Sequence, residues 1–221
     1  MKISPRTVQI LKNFSILNPS LVFKKGNVIK TMTPNKTVYA KATVSEDISE
    51  TFAIYELSKF LSVLSLFDSP EINLNEKFLT VKNSNQEVQY TYGDINNIVA
   101  PGDKEIKLPD MEINFRLTNN TLQGLFKAMA ILGTPEIAVT GENGIMHIET
   151  INTKNPLADK FKVQVGTCVD VQKFKMIILA ENLKILQEDY DVSISSKGIS
   201  YFKGKDIEYW IATESSSVFE Q

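Results

Sequence analysis

The chain has 221 residues, 43% of them hydrophobic, and 24 Lys or Arg against 26 Asp or Glu give a formal net charge of −2. That is enough for two domains of about 100 residues, each with its own core. One cysteine, Cys168, excludes an internal disulfide and fits a reducing compartment, and a single histidine, His147, leaves little for histidine or metal chemistry. No apolar run approaches the roughly 18 residues of a membrane span, and Met1-Lys2-Ile3-Ser4 leads into no signal-peptide core. The expectation is a soluble protein that stays where it is made.

Ser4-Pro5 opens a first helix as N-cap and N1. Its apolar residues Thr7, Ile10, Leu11, Phe14 and Leu17 follow the spacing i, i+3, i+4, i+7, i+10, which is one stripe of an amphipathic helix. Strands are expected over 21–30, 37–44 and 51–55, with Lys24-Lys25-Gly26-Asn27 as a turn. The same template returns at Leu57, Phe60, Leu61, Leu64 and Phe67, followed by strands over 71–74, 78–82 and 87–92. An extended connector runs from Ile98-Val99-Ala100-Pro101 to Leu108-Pro109.

The template then recurs at Leu122, Leu125, Phe126, Met129 and Leu132, with Asn119 or Asn120 as cap. Strands follow over 136–140, 145–150, 160–169 and 173–178, with Gly141-Glu142-Asn143-Gly144 as a hairpin turn. A fourth copy, Leu179, Asn182, Leu183, Leu186 and Asp189, predicts a fourth helix. Strands over 190–196, 199–203 and 207–213 complete the pattern, and the serine run of Ser215-Ser216-Ser217-Val218-Phe219 reads as a mobile tail.

The four copies form a duplication. Shifting Phe52, Ile54, Leu57, Leu61 and Leu64 by 122 gives Phe174, Met176, Leu179, Leu183 and Leu186, and shifting Ile10, Phe14 and Leu17 by 115 gives Leu125, Met129 and Leu132. The fold class is therefore α+β, with two similar domains of two helices packed on antiparallel β-sheet. Residues 1–97 form the first domain, 98–110 the connector and 111–221 the second, ending in a short tail from about 214.

Opposite each stripe, five positions after the template starts, stand Lys12, Ser62, Lys127 and Lys184, flanked in the first domain by Lys2, Arg6 and Lys59. A face that leans positive on a slightly acidic chain suggests a polyanion at one surface. No metal-ligand cluster, phosphate-binding glycine loop or paired carboxylates stand out, so no catalytic residue, metal or cofactor is expected. A Cys168–His147 nucleophile pair is the one enzymatic reading, and it would need both in a common pocket.

The chain resembles the sliding clamps, the DNA polymerase processivity factors, of T-even-type tailed bacteriophages. The resemblance lies in Met1-Lys2-Ile3-Ser4, Ile10-Leu11-Lys12-Asn13-Phe14, Ala53-Ile54-Tyr55, Phe60-Leu61, Leu64-Ser65-Leu66, Val99-Ala100-Pro101, Leu122-Gln123 with Leu125, and Ile137-Ala138-Val139-Thr140. It departs from the family where a basic residue can stand and this chain has Pro5 and Ala130. The resemblance implies the DNA clamp fold, assembling as a homotrimer into a ring with helices lining the hole. Lys12, Lys127, Lys184, Lys2, Arg6 and Lys59 would face double-stranded DNA without reading its sequence.

Two strand edges would form the subunit interface, Val88, Tyr90 and Tyr92 meeting Phe161, Val163 and Val165. Ile98, Val99, Pro101, Ile106 and Leu108 would form a partner-peptide pocket. Implied partners are a phage DNA polymerase, a clamp loader and late-transcription factors, in the cytoplasm of the infected bacterial host, with no membrane. The rival to this reading is a β-rich viral structural protein that forms a ring without DNA in it.

Overall fold

The computed structural model describes residues 1–169 and 173–220, so Gln221 at the end of the expected tail lies outside the described residues. The chain divides into two compact units, Met1–Asp103 and Lys104–Gln221. In the first, helix α1 (Pro5–Leu17) buries all five stripe residues, and Ser4 caps it by accepting from the Thr7 N–H at 3.2 Å. A carboxylate reinforces this end. Glu46 accepts from the Ser4 N–H and, at 2.6 Å, from the Thr7 hydroxyl.

Strands β1 (Leu21–Phe23), β2 (Gly26–Met32), β3 (Val38–Ile48) and β4 (Phe52–Ile54) lead into helix α2 (Leu57–Leu64). Strands β5 (Glu71–Leu74), β6 (Phe78–Lys82) and β7 (Glu87–Thr91) follow as an antiparallel meander. The stretch expected over 21–30 is two strands, divided at the expected turn of Lys24-Lys25-Gly26-Asn27. Gly26, at φ 111°, turns the chain, so Leu21 pairs with Ile54 while Val28 pairs with Thr43. Only glycine takes that backbone angle without a steric cost. The stripe of α2 is buried at Leu57, Phe60, Leu61 and Leu64, and Phe67 is buried just beyond the helix.

The second unit contains β8 (Ile113–Leu117), α3 (Asn119–Leu132), β9 (Glu136–Glu142), β10 (Ile145–Ile151), β11 (Lys162–Thr167) and β12 (Lys173–Leu179). It continues with β13 (Tyr190–Ser195), β14 (Ile199–Lys203), β15 (Ile207–Ala212) and β16 (Val218–Glu220). One sheet runs β11-β10-β9-β12-β16, and β15, β14, β13 and β8 pair in that order, all antiparallel. Tyr190 meets Phe202 and Tyr209 edge-on in the core, and Trp210 lies 4.9 Å from Tyr201.

The cap of α3 is Thr118, not Asn119 or Asn120. Its hydroxyl accepts from the Thr121 N–H at 3.3 Å, repeating the Ser4–Thr7 arrangement, and the Asp189 carboxylate accepts from the Asn119 N–H at 2.7 Å. Relative to the apolar stripe, α3 thus starts one residue earlier than α1. Strand β8, absent from the sequence reading, alternates in burial as Ile-Asn-Phe-Arg-Leu beside β13.

The fourth helix does not form, so among the described residues the second unit carries one α-helix rather than two. Strand β12 continues through Leu179, which pairs with Glu136, and only ten residues separate it from Tyr190. Only a 3-10 turn, Ala180–Asn182, remains. Two tyrosines take up the backbone groups a helix would use: the Tyr209 hydroxyl accepts from the Leu186 N–H at 3.2 Å, and the Tyr190 hydroxyl donates to the Leu186 carbonyl at 2.7 Å. Leu183 and Asn182 are nevertheless buried, while Leu179 and Leu186 are half-buried and Asp189 is exposed.

Nor is the tail a loose end. Strand β16 pairs with β12, and Phe219 stacks on Phe174 with centroids 5.9 Å apart. The apolar residue in register outweighs the disorder expected of a serine run.

The Glu46 contact generates a test. Burial raises its pKa, and the hydrogen bonds from Thr7 and Ser4 overcome that and leave it lowered. A depressed carboxyl pKa contributes stability above the ordinary glutamate value that is lost as pH falls through the depressed one. Glu46→Gln is expected to cost about 1 kcal/mol at neutral pH, modest because the group is partly solvated. Urea titrations should show the gap between the two chains closing as pH drops below the ordinary glutamate range.

Candidate nucleic-acid interface

With the stripes of α1 and α2, and Leu122 and Leu125 of α3, committed to the core, the opposite residues project outward. Helices α1, α2 and α3 together carry Arg6, Lys12, Lys59 and Lys127 and not one Asp or Glu. The whole chain, by contrast, has slightly more acidic than basic residues. Lys12 and Lys127 are both exposed, at positions of α1 and α3 related by the 115-residue shift. Lys2 is exposed just ahead of α1, and Arg6 is half-buried, donating to the Gln9 carbonyl Oε1 at 2.9 Å.

The remaining two predicted cations differ. Lys59 pairs with Glu56 across 3.3 Å on an open surface, where such a pair is weak. Lys184 is exposed but lies in the irregular segment that replaces the fourth helix. Between α1 and α2 lies a hollow of about 550 Å³, with Lys2, Gln9 and Lys12 among the polar lining and Val8, Leu61 and Phe67 among the apolar. Amines on flexible stems attract phosphates but hold no fixed pattern for reading bases.

Each predicted interface strand ends its sheet. Among the described residues β7 pairs only with β6, and β11 only with β10. Their side chains, however, pack on their own unit. Tyr90 meets Phe60 edge-on at 5.5 Å and donates to the Glu56 carbonyl at 3.1 Å, while Tyr92 stacks on Phe52 at 5.3 Å. Burial, then the charge of Glu56, pushes the Tyr90 phenol up. Val88, Val163 and Val165 are half-buried, and the Phe161 ring lies against Gly124 of α3. What these strands leave outward is their unpaired edge backbone and the polar side chains between, Glu87, Gln89 and Thr91 on β7 and Lys162, Gln164 and Thr167 on β11.

The connector is partly fastened to the first unit. Asn18 Nδ2 donates to the Val99 and Met32 carbonyls, each at 3.0 Å, and Asp103 pairs with Lys24. The hydrogen bond from Lys24, then its charge, lowers the Asp103 pKa. Pro101 lines a hollow with Val22, Val28, Lys24, Lys30 and Ala100. Ile98 is half-buried beside the exposed Val99, and Ile106 and Leu108, in the second unit, are 38% and 39% exposed.

Sequence reasoning missed the outer part of the α3 stripe. Only Leu122 and Leu125 are buried, while Phe126, Met129 and Leu132 are half-covered and Ile131 is 81% exposed. Periodicity marks which residues are apolar but not which remain uncovered in a single chain. Cys168 and His147 are not brought together, since Cys168 bonds to Gly144 while His147 stands opposite Gln164. Among the described residues no group of three or more His, Cys, Asp or Glu could hold a metal ion.

Residues 2–100 match the family described as DNA polymerase processivity factor, and residues 114–215 the family described as gp45 sliding clamp, C terminal. The chain is 33% identical over 220 residues to the sliding clamp of Vibrio phage KVP40, covering 97% of this chain and 99% of that one. It is 29% identical over 231 residues to the sliding clamp of Escherichia phage RB69, covering 100% of both. PCNA from Thermococcus kodakaraensis superposes with a TM-score of 0.71 at 14% identity, covering 96% of this chain and 99% of that one, which is a likeness of fold.

Proposed function

The chain belongs to the sliding-clamp family of DNA polymerase processivity factors, and we propose that three copies close into a ring around duplex DNA and tether a phage DNA polymerase to its template. The observation that carries this reading is the helix charge: four cations and no carboxylate on three helices. Lys12 and Lys127 meet phosphates first, with Lys2, Arg6, Lys59 and Lys184 as weaker contributors. An amine about 4 Å from a phosphate in water gains about 1 kcal/mol, close to thermal energy. Such contacts break and re-form, which lets a ring slide while its topology prevents escape.

No catalysis is asked of the chain in this role. A tethered polymerase rebinds at high effective concentration, and that alone raises processivity. Residues 1–97 and 111–221 act as the two clamp modules joined by 98–110, a division supported by the two matched segments. A clamp loader opens and seats the ring, late-transcription factors share it, and all of this happens in the cytoplasm of the infected bacterial host.

The subunit boundary is the meeting of β7 on one copy with β11 on the next, head to tail. Support comes from both strands lacking a second neighbour among the described residues and from the half-covered apolar row Phe126, Met129 and Leu132 on α3. Open edges and uncovered apolar side chains are what a neighbouring copy would satisfy.

Three experiments test this reading. Lys12→Glu, Lys127→Glu and Lys184→Glu combined should leave assembly intact and reduce stimulation of primer extension about tenfold or more. Unchanged stimulation would instead favour a ring with no DNA in it. Tyr90→Asp with Val163→Asp should convert the trimer to monomer in light scattering at micromolar concentration, and a trimer that persists places the boundary elsewhere. For the partner pocket at Ile98, Val99, Pro101, Ile106 and Leu108, titration with a short apolar peptide should shift amide resonances over 98–108. Silence there, with shifts elsewhere, removes the connector from that role.

A further inference from the structure

The outer side of β12 is occupied by the chain's own end. Three residues pair there, Lys173 with Glu220, Phe174 with Phe219 and Lys175 with Val218. Beyond them the Ile177 N–H donates to the Ser217 hydroxyl at 2.9 Å, and the Glu214 N–H donates to the Ile177 carbonyl at 2.8 Å. A row then crosses three strands, because Gly141 of β9 stands opposite Phe174, which stands opposite Phe219. Gly141 makes the room: a Cβ there would lie 2.2 Å from the Phe174 ring. Phe174 is thereby sunk to 3% exposure and offers its ring to Phe219, with 19° between the planes.

Charge completes the site. Lys173 is held by Glu142 at 3.1 Å, and its pKa is raised first by that hydrogen bond and charge and then by Glu220. An extended segment is thus recognised by backbone pairing, by a ring on Phe174 and by a carboxylate near Lys173. The grip is short, however. Pairings of this size are marginal alone, Val218 is 50% exposed, and Ser215 and Ser216 are exposed as well.

We propose that the outer edge of β12 is a docking edge for an extended peptide carrying an aromatic residue followed by an acidic one, and that Val218–Glu220 is a tethered occupant which such a partner displaces. The tether keeps the edge covered at high effective concentration, so only a partner that binds better than the tail gains it. Addition of a strand to a sheet edge is a general mode of peptide recognition, with alternate side chains giving selectivity.

The test uses a fluorescent peptide with the sequence of residues 214–221 as probe and the full-length chain as receptor. Phe219→Ala, which loosens the tail, should bind the probe about tenfold or more tighter than the unaltered chain, and a probe with alanine in place of its phenylalanine should not bind. Equal affinity in both chains, or no binding to either, overturns the proposal. Hydrogen exchange on the unaltered chain decides independently of whether the variant folds. The Ile177 amide should exchange about tenfold or more faster than amides bonded between β9 and β10, and equal protection overturns the displacement. Neither DNA nor ring closure enters these measurements, so their failure would leave the clamp reading untouched.

Discussion

Burial of one apolar stripe fixes the rotation of each helix, and the charge on the other side follows. Ile10, Leu11 and Phe14 of α1 are 0% exposed, and withdrawing each from the core would cost about 1.5–3 kcal/mol. Mutual repulsion among solvated lysines is worth far less at these dielectric values. The core therefore sets the direction in which Lys12 points. Selection for a cationic face can act on outward positions without disturbing the fold, which is why acidic residues can vanish from three helices in a chain that is acidic overall.

The two units share a device at the helix start. In each, a hydroxyl cap is backed by a carboxylate that reaches the first turn from elsewhere: Glu46 at α1 and Asp189 at α3. Asp189 is also held by Arg116, which bridges it to Asp191. A negative charge at a helix N-terminus satisfies free amides and the dipole together. The units diverge after β4 and β12, where the first chain segment coils into α2 and the second makes a 3-10 turn under two tyrosine hydroxyls.

Much of this was legible because burial and periodicity agree. The stripes of α1 and α2, most strands, the hairpin at Gly141–Gly144 and the exposure of Lys12 and Lys127 all follow from spacing. The fourth copy failed because its template residues Asn182 and Asp189 are polar, and because the β12 ladder consumed Leu179 before a helix could start. Register across the sheet decided that, and register is a tertiary fact. The same limit hid β16, whose order depends on Phe174 and Gly141 some 80 positions or fewer earlier in the chain, within the same sheet. Which α3 side chains stay uncovered likewise depends on neighbours that no single helix specifies.

The placement of aromatic residues has a practical consequence. The one tryptophan, Trp210, is 8% exposed on β15 against Tyr201, and it belongs to the second unit. The first unit holds only tyrosines, Tyr39, Tyr55, Tyr90 and Tyr92, as long-wavelength chromophores. Tryptophan emission during denaturation therefore traces the melting of one half of the chain. Far-ultraviolet dichroism, by contrast, sums over the strands and helices of both units, so a gap between the two probes during denaturation would show without any label that the chain does not unfold in one step.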